Sequence, residues 1–310
     1  MKLSIVSTLY QSEPYVEEFV HRVSQSAAQL TQDFEIILVD DGSPDRSLDK
    51  ALELRSSFPQ VKIVELSRNF GHHKAMMAGL EEAGGDLIFL IDVDLEEPPE
   101  TLIQFHEEMK KGDWDVVYGV ARKRQGGFVK RVGGKIAWDI FETTLPLKVP
   151  RDQCTVRLMI RPYVQALIQH KEQMTAIGGL WVITGFQQTG VLIDKNCREG
   201  TSYGFWRRMD IFASSISSFS EKPLYAVFFL GLGMFILSVL IGVSLIISRL
   251  VIGTALQGWV SVMISVWGLS GLVLLCLGMV GIYAARIFIE TKNRPYVIIR
   301  NKYGFPDRQT

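Results

Sequence analysis

The sequence predicts an α/β fold, a mostly parallel sheet with helices on both faces, followed by an interfacial helix and a two-helix transmembrane hairpin. Three observations predict it. Apolar, β-branched runs alternate with helical stretches as far as Val120, the order that builds a sheet covered on both sides. Acidic pairs stand directly after two of those runs. Farther on, two long segments carry no charge at all.

The elements follow in order. Leu3–Leu9, Phe34–Val39 and Val61–Leu66 read as strands, with Glu13–Leu30 and Ser47–Ser57 as the helices between them. Pro14, Asp45 and Asp49 supply helix start signals. Lys74–Ala83 is a short helix and Leu87–Ile91 a buried strand without a polar residue. Glu100–Lys111 is a helix ending near Gly112, and Asp115–Val120 a further strand. Sheets of this kind bind ligands at the carboxyl ends of their strands. No GxGxxG follows the first strand and no GxxxxGK[ST] occurs, which disfavours a dinucleotide dehydrogenase or a P-loop enzyme.

Leu224–Ser248 and Val260–Ala284 are each long enough to cross a bilayer, which takes ~20 residues. Between Leu224 and Ala284 the only charged residue is Arg249. Arg207, Arg208 and Lys222 precede the pair, and Arg286, Lys292, Arg294 and Arg300 follow it. This flanking charge places both termini in the cytoplasm. Gly231, Gly233 and Gly242 would allow close helix contact, as in a homo-oligomer. Tyr203–Ser220 spaces aromatics and Ile near a helical period beside Arg207 and Arg208; it reads as an interfacial helix or as a packed connector. The expected division is therefore a cytoplasmic catalytic domain (1–202), an amphipathic connector (203–223), two spans (224–285) and a cytoplasmic tail (286–310).

Composition narrows the class. The chain has 310 residues, with 33 Lys and Arg against 33 Asp and Glu and no formal net charge, so nothing draws the whole chain to nucleic acid. Cys154, Cys197 and Cys276 are isolated and suit neither a disulfide framework nor a zinc site. The opening MKLSIVSTLY has too short an apolar run for a signal peptide.

Chemistry concentrates in four segments. In LIFLIDVDLEEPPE (Leu87–Glu100), Asp92 and Asp94 alternate along the chain and Glu96 continues the alternation. In an extended chain these carboxylates face one way, and their repulsion is relieved by a hard divalent cation, Mg²⁺ or Mn²⁺, shared with substrate phosphates. In EIILVDDGSPD (Glu35–Asp45), Asp40 and Asp41 can accept from a nucleobase or ribose; the same residues also read as strand, turn and helix cap. In LSRNFGHHKAMMAGL (Leu66–Leu80), Arg68 stands near a helix start, a good anion site. His72 and His73 are adjacent and do not share a helix face, which argues against a metal pair. The fourth segment, ARKRQGGFVKRVGGK (Ala121–Lys135), holds six cations and no acid. It suits an anionic lipid head group or a diphosphate.

Together, VDDGSPD, LSRNFG, DVDLEEPP and the C-terminal pair of apolar segments resemble the polyprenyl-phosphate glycosyltransferases of glycosyltransferase family 2, the dolichol- and undecaprenyl-phosphate sugar transferases. The resemblance implies a GT-A fold, a nucleotide-sugar donor (UDP rather than GDP), Mg²⁺ or Mn²⁺, and inverting transfer of one sugar to polyprenyl phosphate at the cytoplasmic face of a bacterial inner membrane, for the cell envelope. By position it implies Thr8, Tyr10, Asp40, Asp41, Arg68 and Asp92 on the donor, and Asp92, Asp94 and Glu96 on the metal. Arg122, Arg124, Lys130, Arg131, Lys135 and Arg161 would meet the acceptor phosphate, with Asp94, Thr155 and Arg157 at the reaction centre. The sequence departs from the family at Thr8–Ser12, at His72 where the family has Lys, and at Thr155 where it has Asp. A non-catalytic sugar-nucleotide binder and a family 2 transferase with another acceptor are the competing expectations.

Overall fold

The computed structural model describes residues 1–122, 150, 153–172, 177–195, scattered positions from 224 to 247, and 258–306. Two compact units divide the chain. One comprises Met1–Trp138, Leu147–Gly204 and Pro295–Thr310, the other Asp139–Pro146 and Phe205–Arg294.

The first unit is built from β1 (Leu3–Leu9), α1 (Val16–Ala28), β2 (Phe34–Asp40), α2 (Ser47–Arg55), β3 (Val61–Leu66), α3 (His72–Glu82), β4 (Leu87–Leu90), α4 (Thr101–Lys111), β5 (Val116–Ala121), β6 (Gln153–Ile160), α5 (Arg161–Leu167), α6 (Ile177–Ile183), β7 (Gln188–Ile193) and β8 (Ile299–Tyr303). Its eight strands form one sheet in the order β7-β5-β6-β4-β1-β2-β3-β8. The pairs β1–β2, β1–β4, β2–β3 and β5–β7 are parallel, whereas β6 runs against both β4 and β5.

Strand β1 shows why helices flank both faces. All of Leu3–Leu9 is buried. Leu3, Ile5 and Leu9 join Val16, Phe19, Val20 and Val23 of α1 in one core with Ile36 and Leu38 of β2. Val6 and Val39 point the other way, toward Gly79 of α3, where an added Cβ would lie 2.5 Å from Val6 Cγ1 and 2.8 Å from Val39 Cγ2. The period of two in the strands thus feeds two separate helix layers.

Three boundaries differ from expectation. Helix α3 begins at His72, before Lys74, because Gly71 turns the chain with φ +99°. Strand β4 stops at Leu90, and Leu95 takes a left-handed φ of +59°, so residues 92–97 form a turn and not an extended run. The predicted alternation of Asp92, Asp94 and Glu96 on a pleat is therefore replaced by a turn. Third, the expected tail supplies β8, which pairs antiparallel with β3 from Ile63↔Tyr303 to Leu66↔Ile299.

In the second unit, α7 (Trp259–Thr291) runs past Ala284 and takes Arg286 and Glu290 into its last turns. Within Gly268–Thr291, 18 consecutive residues reach a mean hydropathy of 2.3 and none of them is buried. Among the described residues it is the one helix long and apolar enough to cross a membrane. The described positions between 224 and 247 are helical; the connector at 203–223 lies outside the described residues.

Candidate active site

Parallel strands bring their carboxyl ends to one edge of the sheet, and the acidic segments of the sequence lie there. Thr8, the last residue but one of β1, pairs in register with Val39, one residue before Asp40. Asp92 follows β4, Arg122 follows β5, and Lys195 follows β7. Because β6 is antiparallel, its start, with Thr155, comes to the same edge. Arg161, at the far end of β6, does not: its N–H donates to Asp86 O at the start of β4. Arg161 therefore stands apart from the other residues expected on the acceptor phosphate.

Asp40 and Asp41 are both buried but do different work. Asp41 accepts the backbone N–H of Phe70 at 2.7 Å and of Gly71 at 3.0 Å, so its carboxylate shapes the loop from Ser67 to Gly71. Gly42 sits under that loop with φ +63°, and a Cβ there would fall 2.6 Å from the backbone of Arg68 and Asn69. Asp40 accepts the Ser43 N–H at 3.3 Å. Burial, with Glu65 and Asp41 nearby, pushes its carboxyl up to about 6. Arg68 is exposed, stacks 4.0 Å from the Phe70 ring centre and donates to Asn69 O. Tyr10 is exposed, and Gln11 beside it has φ +53°.

The acidic turn carries its own cations. Asp92 Oδ1 lies 3.3 Å from His72 Nε2, and His72 Nδ1 lies 3.0 Å from Thr8 Oγ1. Burial works to lower the His72 pKa, but Asp92, with Asp41 and Asp94, raises it. Lys195 reaches Glu96 at 3.0 Å and Glu97 at 3.7 Å. Glu97 is 1% exposed and accepts the Val156 N–H at 3.2 Å. Burial, then the charge of Asp92, pushes its carboxyl up to about 7. Asp94 accepts the Glu96 N–H at 3.0 Å; burial, with Asp92 and Glu96, raises its pKa.

Mutual repulsion and an all-oxygen donor set fit a hard divalent cation. Among the described residues no three His, Cys, Asp or Glu side chains converge on one point. Asp92 and Asp94 would be the residues to hold such an ion, since Glu96 is paired with Lys195.

Near the start of β6, Thr155 is half-buried. Arg157 is fully buried, lies 2.9 Å from the Trp181 ring centre, and donates to the carbonyls of Thr155 and Cys154 at 3.2 Å each. It braces the start of β6 instead of facing the edge. Arg122 is exposed and lies 3.4 Å from Asp194. Arg124, Lys130, Arg131 and Lys135 lie outside the described residues.

Residues 4–171 match the model of the family described as "Glycosyl transferase family 2". The chain belongs to glycosyltransferase family 2. This family 2 chain is 47% identical to a Mycobacterium tuberculosis (strain CDC 1551 / Oshkosh) chain whose name places it among the glycosyltransferases, over 98% of this chain and 89% of that one. It is 29% identical to the bactoprenol glucosyl transferase of Shigella phage SfV, over 97% and 99%. Among solved structures, glucosyl-3-phosphoglycerate synthase from Mycobacterium tuberculosis gives a TM-score of 0.48 at 17% identity, covering 70% of this chain and 79% of that one.

Two residues of the family 2 chain escaped sequence reasoning. Glu97 looks like the second half of an acidic pair, and only its burial against β6 sets it apart. Lys195 stands far from Glu96 in sequence, so no local pattern announces their pairing. His72 carried a signal, as the departure from the family's Lys.

Proposed function

We propose that this protein moves one sugar from a nucleotide-sugar donor, a UDP-sugar, to polyprenyl phosphate at the cytoplasmic face of a membrane. The observation that carries the reading is the likeness to a bactoprenol glucosyl transferase along nearly the whole chain, apolar C-terminal segment included. The acidic turn on the carboxyl edge supports it.

In this reading Asp40 meets the nucleoside, Arg68 lies alongside, and Asp41 holds the loop that frames it. Asp92 and Asp94 face the donor diphosphate. A divalent ion bound there would offset charge on the departing nucleoside diphosphate. The acceptor is a phosphate monoester with a second pKa of ~6, largely dianionic at pH 7. Its oxygen needs no base: it bonds to the sugar anomeric carbon as the bond to the diphosphate breaks, inverting that centre. The protein's task is to position it and offset its charge. That accounts for an active site with Thr155 where the family has Asp. Thr155 donates its hydroxyl to the acceptor phosphate. Thr155→Ala should lower turnover about ten-fold at saturating lipid; wild-type turnover in that variant removes the role.

Topology supports the membrane part. The chain leaves the catalytic unit after Gly204 and rejoins it at Pro295, and β8 is hydrogen-bonded into the same sheet as β1–β7. A segment that leaves and returns to one side crosses an even number of times. Helix α7 provides one crossing and Leu224–Ser248 the other.

The test is purified full-length protein with Mn²⁺, a panel of nucleotide sugars and undecaprenyl phosphate, read by mass spectrometry of extracted lipid. A glycolipid that forms only with lipid phosphate supports the proposal. Nucleotide binding without product makes the chain a sugar-nucleotide binder, and product on another acceptor makes it a different transferase.

A further inference from the structure

We infer that the segment following the long apolar helix, residues 296–303, braces the donor site, because it holds the start of the nucleoside-framing loop and the first turn of α3, into which that loop leads. Contacts at three places carry this. At the start of the loop, the Ser67 N–H donates to Ile298 O at 2.9 Å. Beyond the loop, in the first turn of α3, Lys74 Nζ lies 5.1 Å from the Tyr296 ring centre. Beneath it, Glu65, the residue in register with Asp40, accepts the Tyr303 hydroxyl at 2.9 Å, Asn301 Nδ2 at 2.8 Å and Arg300 Nη1 at 3.4 Å. Between these anchors the loop gives its Phe70 and Gly71 N–H groups to Asp41. The strap thus fixes the start of the loop and the helix that follows it, Asp41 fixes the loop's end, and a nucleoside entering beside Asp40 meets a preformed wall.

Tyr296 and Lys74 are positioning residues in this account, and they act on donor affinity, not on the chemical step. Only residues 292–295 lie between Tyr296 and the end of α7 at Thr291. The donor site is therefore tied through a very short link to the apolar helix. The inference rests on reading this edge as the donor site.

The test uses full-length protein in detergent, with UDP and GDP as probes in the presence of Mn²⁺. Tyr296→Ala and Lys74→Met should each weaken nucleotide binding about five-fold, with turnover at saturating donor unchanged. Tyr296→Phe keeps the ring and should restore binding. Hydrogen exchange of residues 67–74 should quicken in Tyr296→Ala while α1 and β1 stay protected. If the wild-type protein binds neither nucleotide, the donor-site reading falls and takes the inference with it. If it binds one and both variants bind equally well, the inference alone falls. Weakened binding that Tyr296→Phe does not restore, or faster exchange spread over the whole unit, also overturns it.

Discussion

Glu35 and Asp40 sit at opposite ends of β2 and are tuned in opposite directions. Burial works to raise the Glu35 pKa, but Lys62, Ser4 and the Gly84 N–H hold it at about 2, against 4.5. The folded protein keeps this carboxylate ionised where the unfolded chain binds a proton. Its contribution is complete above pH 4.5 and is lost as pH falls toward 2. Glu35→Gln should cost about 3 kcal/mol at pH 7 by that linkage. Urea denaturation at pH 7 and pH 3 should show the penalty shrinking at the lower pH. Asp40, raised to about 6 from 3.8, has the reverse sign: ionising it costs stability as pH rises between those values. If Asp40 accepts from the nucleoside as proposed, its protonation removes that acceptor, so donor KM should fall as pH rises through about 6. In Asp40→Asn that inflection should vanish from the KM profile.

At the scale of elements, the close seat of α3 on the sheet depends on Gly79. An added methyl meets Val6 and Val39 below contact distance, and neither partner has a free end to swing away. Gly→Ala inside a helix ordinarily gains up to ~1 kcal/mol; here overpacking should outweigh that, for a net loss of about 1–3 kcal/mol. Thermal denaturation of Gly79→Ala checks the sign. The same scale shows what the sequence makes legible. Strands β1 to β5 are apolar runs buried on both faces, so each announces itself. Strand β8, IRNKY, exposes its middle residues and borrows its stability from Glu65, far away in the chain; nothing local separates it from a polar tail. The acidic turn was legible as chemistry but not as shape. Residue types revealed the cluster of Asp92, Asp94 and Glu96, whereas the left-handed Leu95, the inward Glu97 and the pairing with Lys195 arise only from the packing of β4 against β6 and of β5 against β7.

At the scale of the whole molecule, one sheet contains strands from both sides of the apolar segment. In inside-out vesicles, a protease site engineered after Met1 and another after Pro306 should be cut alike, and one placed at residues 252–256 should be shielded. Cutting of only one terminal site would remove the even number of crossings.

The pairing of Glu65 with Tyr303 spans 238 positions in sequence, and this sets an order of events during synthesis. Strand β3 is made before the apolar helix and β8 after it. Until β8 arrives, β3 is an open edge, able to recruit strands from other chains. A nascent chain stalled before Pro295 would hold an incomplete sheet, with Ser67 still lacking Ile298 as its partner. If that loop frames the donor as proposed, the ability to take the donor comes last in biogenesis, after the apolar segment has left the ribosome.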